Sequence, residues 1–377
     1  MKIIIAPQSF KGSLTANEAT ECISEAVTDI FPDSELVKLP IADGGDGTLE
    51  TLVETSKGKI IRSEVLDPLG NLVFAEWGLI EGIAIIEMAR SSGLALINPE
   101  KLDPMNSTSF GTGQLILEAL NSGVKKIILG IGGSATNDCG VGAAKALGIR
   151  FFKDDGSEIE NNVEDFINIK NINMESINAK INDVDIEVAC DVTNTLCGKE
   201  GASYIYGPQK GANKEQIEIL DNSLLHLSNI IKKDIGKDVL NIKGAGAAGG
   251  MGAGMVAFCS ATLRPGVDII FDTLDVEKKI MGADLIITGE GQFDISSTYN
   301  KAPTAIAKLG LKHDIPCIGI SGSFGEGFEK LDEFGILSKS TLINKISDLE
   351  TNIKQAKDLL KIAAKEQLKA VKIGMNL

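Results

Sequence analysis

Histidine and arginine are scarce in this chain of 377 residues, which has two of the first and four of the second. His226 falls in an amphipathic helical stretch and His313 in a turn before a strand, contexts of surface or satisfied side chains, which leaves little material for a zinc cluster or a Ser-His-Asp triad. If the chemistry needs a general base, a carboxylate supplies it. Among the arginines, only Arg90 and Arg264 stand in loop-like, glycine-bearing contexts where bidentate capture of an anion is expected. Aromatic residues make up 5% of the chain, so its cores must be built from Ile, Leu, Val and Ala, the balance of an α/β protein. No basic run offsets the net charge of −15, which repels phosphodiester backbones and anionic lipid; nucleic acid and membrane partners are excluded on that ground. The six cysteines show no Cys-x-x-Cys spacing and read as reduced core thiols of a cytoplasmic protein. The apolar block Ile3-Ile4-Ile5-Ala6 is too short for a signal sequence. The uncharged stretch 244–263 holds six glycines within 244–254 and reads as a loop entering a helix, not a membrane span.

What the chain does have is a series of polar, glycine-bearing loops that follow apolar strands. The most pronounced is Leu129-Gly130-Ile131-Gly132-Gly133-Ser134-Ala135-Thr136-Asn137-Asp138, between a buried strand at 126–131 and a helix from Gly140. Glycines let backbone approach a ligand, and the amides of a strand–turn–helix junction suit an anion. Ser134, Thr136 and Asn137 add neutral hydrogen-bonding groups, and Asp138 a carboxylate that could hold Mg²⁺. The motif is neither a full dinucleotide fingerprint nor a P-loop, and a plain structural turn would carry the same residues. Similar loops follow strands at 2–6 (Gln8 to Ser13), 35–39 (Asp43 to Thr48), 185–190 (Asp191 to Asn194), 284–288 (Gly289 to Asp294) and 316–320 (Ser321 to Ser323). Ligands bind at that edge of parallel sheets. The carboxylates there are Asp43, Asp46, Asp138, Asp191, Glu290 and Asp294; Lys11, Lys210 and Lys301 lie beside Gly or Pro. Such carboxylates equally cap helices and turns. The length suggests about two domains. Close-spaced turns between short alternating segments at 59–65, 73–79 and 83–86 imply an antiparallel or mixed region and place a domain boundary near residue 60. Thr15 with Glu18 makes a capping box for a helix to about Ile30, and 153–183, rich in Asn, Asp and Ile without a clear period, reads as a surface excursion.

In order and spacing, the segments 6–13, 42–48, 130–138, 190–194, 207–212, 244–254, 263–266 and 289–294 resemble the bacterial glycerate kinase family over essentially the whole chain. The resemblance implies ATP-dependent phosphorylation of D-glycerate by an α/β protein of two domains. One is a flavodoxin-like parallel-sheet domain from both chain ends, 1–60 and 281–377. The other is an inserted mixed α/β domain, 61–280, likened to restriction enzymes. On that reading ATP phosphates and Mg²⁺ lie over Gly132, Gly133, Ser134, Thr136 and Asn137 and over Gly249, Gly250 and Gly252. Asp191 is the first choice as base or metal ligand, with Glu290 second, Lys11 beside them, and Asp138 as a further metal ligand. Asp43, Asp46, Lys210, Arg264 and Asp294 are assigned to the substrate, and a homodimer is the assembly considered. The chain departs from the family at Gln8 (usually Asp), Asp46 (Glu), Cys139 (Gly) and Gln292 (Arg), and 295–301 lacks the usual Gln and the Gly before Lys. A kinase for another short hydroxy acid, or an impaired nucleotide-binding homologue, is the alternative those changes raise.

Overall fold

The computed structural model describes every residue except Asp43, Asp46, Asn161, Asn300, Asn376 and Leu377. Its chain forms two compact units, Met1–Asp43 with Ile270–Leu377, and Gly44–Ile269. These limits fall earlier than 60 and 280. The helix Thr48–Thr55, which a boundary near residue 60 places in the first domain, explains the first shift: Leu49 and Val53 lie where a Cβ on Gly78 of the second unit's sheet would stand.

In the first unit five parallel strands run in the order Ile336–Thr341, Cys317–Phe324, Leu285–Phe293, Lys2–Pro7, Glu35–Lys38. Numbered along the chain this is 2-1-3-4-5, the flavodoxin order, with the other unit inserted between the second and third strands. Ile3, Ile4 and Ile5 are all fully buried because helices cover both faces, so the strand reads as a continuous apolar run. Helices Ala16–Ile30 and Ala356–Gly374 pack on one face through Ile23, Val27, Leu360 and Leu368. The first of these opens with the capping box read from sequence, Thr15 Oγ1 accepting from Glu18 N at 3.1 Å and Glu18 Oε2 from Thr15 N at 3.0 Å.

The second unit is built on a six-stranded mixed sheet in the order Thr262–Arg264, Asp185–Ala189, Lys126–Gly130, Ile83–Glu87, Leu72–Ile80, Lys59–Leu66. The first four are parallel, and the last two join antiparallel as the close-spaced turns implied. The segment 153–183, expected to be a surface excursion, instead sends Val163, Phe166, Ile169 and Ile181 into the core. Its apolar residues lack a period because they sit on short 3-10 turns (Val163–Asn168, Ala179–Asp183).

Candidate active site

After the strand Lys126–Gly130 the chain exposes only Gly132 and Gly133 and then turns inward. Gly133 has φ +69°, and Ser134 forms an isolated antiparallel bridge with Gly93, which pulls the rest of the turn beneath the surface. Ser134, Thr136 and Asn137, expected to touch phosphate, are therefore buried. Lys210 Nζ donates to Thr136 O at 2.6 Å and to Ser134 Oγ at 2.9 Å; Asn137 Nδ2 donates to Ser203 Oγ at 3.0 Å. Thr136 Oγ1 and Asn137 Oδ1 are buried without a hydrogen-bond partner.

Asp138, expected to hold a metal, is a structural hub. Its Oδ2 accepts from Ser109 N (2.8 Å), Ser109 Oγ (2.7 Å) and Gly142 N (3.1 Å), and its Oδ1 from Gly140 N (3.2 Å). At 2% exposure, with both oxygens committed to donors, the carboxylate ties the starts of two helices, Phe110–Asn121 and Val141–Ala146. Ser109 gave no signal in the sequence.

The glycine cluster performs packing. Ala248, Gly249 and Gly250 take positive φ (54°, 68° and 89°) before the regular helix begins. A Cβ on Gly249 would lie 2.1 Å from Thr136 O, one on Gly254 2.1 Å from Cys139 O, and one on Gly252 2.5 Å from Gly244 O. Cys139 N donates to Gly249 O at 3.0 Å. Gly249, Gly250 and Gly252 are buried against backbone and present no open face for phosphate. Cys139 itself has φ +51°, the region glycine favours, which accounts for the glycine usual at this point in the family it resembles.

At the carboxyl ends of the neighbouring strands, Asp191 is exposed and its Oδ1 accepts from Gly266 N at 2.9 Å. Arg264 is in register with Ala189, two residues before Asp191, and its Nη1 donates to Glu187 Oε1 at 2.7 Å. Glu187 also pairs with Lys126 at 2.6 Å. Burial alone would push the Glu187 carboxyl up, but the hydrogen bonds from Lys126 and Arg264 outweigh it and hold it below the ordinary range. Glu187 was not singled out from the sequence, although a lone carboxylate inside an apolar strand is a signal in itself. Arg90, the other candidate anion hook, is spent on its own unit: it binds Glu87 (2.7 Å), Glu76 (3.3 Å) and Glu50. Asp43 and Asp46 lie outside the described residues.

In the first unit, Glu290 and Gln292 lie on the strand Leu285–Phe293, not in a loop after it. Glu290 is buried, opposite Ser321, and 3.7 Å from Lys301 Nζ. Gln8 N donates to Gly289 O at 2.8 Å, and Lys11 N stands where a Cβ on Gly291 would approach to 3.1 Å. Gln8, Lys11 and Glu290 thus share the switch point between the first and third strands, where such sheets bind ligands. Asp294 caps the turn Ile295–Thr298, with Oδ1 accepting from Ser296 N (2.7 Å) and Ser296 Oγ (2.6 Å). Those bonds hold its carboxyl below the usual range and give it a capping task.

A profile of the glycerate kinase family matches residues 3–372. The chain belongs to that family. It is 43% identical to a glycerate kinase of Halalkalibacterium halodurans, with 96% of each chain covered. It is 42% identical to the glycerate 2-kinase of Escherichia coli, covering 100% of this chain and 99% of the relative. The crystal structure of a putative glycerate kinase 2 from Salmonella typhimurium LT2 superimposes with a TM-score of 0.93 at 43% identity, over 100% of both chains. The fold and the kinase class expected from the motifs are those of the family. No helix among the described residues is long and apolar enough to cross a membrane.

Proposed function

We propose that this glycerate kinase family member transfers the terminal phosphoryl group of ATP, as its Mg²⁺ complex, to a hydroxyl of D-glycerate, giving phosphoglycerate and ADP in the cytoplasm. The observation that carries the reading is the near full-length likeness to glycerate kinases at 42–44% identity. The name of the E. coli relative favours the 2-hydroxyl as acceptor.

The donor set fits the nucleotide. The amides of the exposed Gly132 and Gly133 suit phosphate oxygens, and two buried polar atoms without a partner, Thr136 Oγ1 and Asn137 Oδ1, follow in the same turn. Mg²⁺ takes one or two carboxylates and completes its shell with phosphates and waters. Asp191 is the residue that would hold it, and bound Mg²⁺ neutralises charge on the phosphates. Asp191 alternatively accepts the hydroxyl proton, and Arg264, set by Glu187, faces the glycerate carboxylate. In the first unit Lys11 and Glu290 are the groups proposed to act.

The test is ADP release with D-glycerate, with ³¹P NMR of the product to identify the phosphorylated hydroxyl. A panel of 2-hydroxy and 2,3-dihydroxy acids separates the second reading, that Gln8 and Gln292 retune the acceptor. ADP release no faster with D-glycerate than with water alone rejects the proposal.

A further inference from the structure

Lys210 is one of the largest fully buried side chains of the described residues, with 1% exposure. Lysine is almost never buried so completely without a carboxylate bonded to it, because the ammonium loses its hydration. Here the two acceptors, Thr136 O at 2.6 Å and Ser134 Oγ at 2.9 Å, are both neutral. Among charged groups, the Asp138 carboxylate faces it, but the oxygens of Asp138 are committed to Ser109, Gly140 and Gly142. Of the elements packed around it, the helix Ala202–Tyr206 contributes Ser203, bonded by Asn137, 244–254 contains no ionisable side chain, and the segment holding Leu102 against Gly211 carries Asp103, whose oxygens accept from Met105 N and Asn106 Nδ2.

We infer that Lys210 is the positioning residue of the glycine-rich turn: from behind, its ammonium fixes Ser134 and Thr136 and supplies the positive charge that a phosphate-like anion on Gly132 and Gly133 meets. The inference rests on the proposed phosphate site and replaces the sequence expectation that Lys210 grips the glycerate carboxylate, since a side chain so enclosed cannot reach a substrate. A neutral donor would hold the same two oxygens without the desolvation cost, so the charge is retained for what lies in front of it. Burial has lowered the lysine to about 7, against a smaller opposing pull from Asp138. An anion docking on the turn favours the charged form, so the two events are linked. Affinity is then highest below pH 7, where the ammonium is already formed, and falls as pH rises through that value.

Sulfate is the probe, since it does not titrate between pH 6 and 9. Amide NMR follows Gly132 and Gly133, and side-chain NMR of ¹⁵N-lysine follows Lys210. The expected result is a Lys210 midpoint near 7 that sulfate moves upward. Each unit of that movement gives a rise of about tenfold in the sulfate Kd between pH 6 and pH 9. Lys210→Met should bind sulfate weakly with no pH dependence, and Lys210→Arg should bind it at every pH, which a purely structural role would not produce. If Lys210→Met does not fold, the wild-type titration decides alone. A sulfate Kd independent of pH, a Lys210 midpoint unmoved by sulfate, or no sulfate effect at Gly132 and Gly133 overturns the inference. None of these readouts involves glycerate, so failure here and failure of the kinase reading are separate results.

Discussion

Substituting Gly249 by alanine tests whether the glycine cluster is a packing device. Two costs apply there and can be separated by a control. Gly249 and Gly236 both have positive φ, 68° and 80°, so alanine at either incurs about 1 kcal/mol of backbone strain. At Gly236, the end of the helix Lys214–Ile235, a Cβ meets nothing within 4 Å. At Gly249 it would lie 2.1 Å from Thr136 O and 2.5 Å from Asn137 Cα, both backbone atoms that cannot swing aside. Overpacking of that kind adds about 1–3 kcal/mol, and loss of the Cys139–Gly249 hydrogen bond about 1 more. Gly249→Ala should therefore cost about 3–5 kcal/mol against about 1 for Gly236→Ala. The assay is built into the chain: its single tryptophan, Trp77, is fully buried in the same unit, so fluorescence during urea unfolding reports that unit alone. With a urea slope of about 3 kcal/mol/M, the two variants should differ in midpoint by about 1 M. Equal midpoints would refute the packing argument and return Gly249 to the ligand-binding set.

Asp138→Asn should lower stability by about 2–4 kcal/mol on the same tryptophan signal, because it removes a charge-assisted acceptor from a buried four-donor hub. Asp191→Asn should keep the Gly266 hydrogen bond and the wild-type melting curve while turnover falls by about a hundredfold or more; undiminished turnover removes Asp191 from the machinery. Glu187 is held below its ordinary value in the folded chain, so its contribution is present above the unfolded value of about 4.3 and is lost as pH falls through the lower folded value. Glu187→Gln should thus destabilise the protein at pH 7 and flatten the acid limb of its stability profile below about pH 4. An unchanged acid limb would mean that Lys126 and Arg264 do not stabilise that carboxylate.

The architecture was readable where hydrophobic periodicity and turn chemistry agreed. The strand–loop–helix order, the Thr15 capping box and the antiparallel segment after residue 58 all came from that agreement. The strand Leu285–Phe293 read as ending at Thr288 because Gly289 and Gly291 break strand propensity. In the sheet these glycines are there because neighbours come too close: a Cβ on Gly289 would lie 2.1 Å from Ile320 O. The edge strand Ile336–Thr341 was missed since four of its six residues, Ser338 to Thr341, are polar. At the site, composition identified the turn but not its orientation. Polar residues after Gly133 were expected to face a ligand, whereas Gly133 sends them inward, where Lys210 and Ser203 receive them. Asp138 shows the same limit, because a carboxylate in a glycine-rich loop looks alike whether it binds a metal or caps a helix.

Gly44 opens the second unit and stands close to the residue that starts its exit helix: a Cβ on Gly44 would be 3.2 Å from Gly266 Cα. A segment that begins and ends at neighbouring points in this way interrupts the parent fold at a single place. The limit at Ile269 falls inside the helix Gly266–Thr273, so the return to the parent fold is made by continuous helix and not by a loose linker.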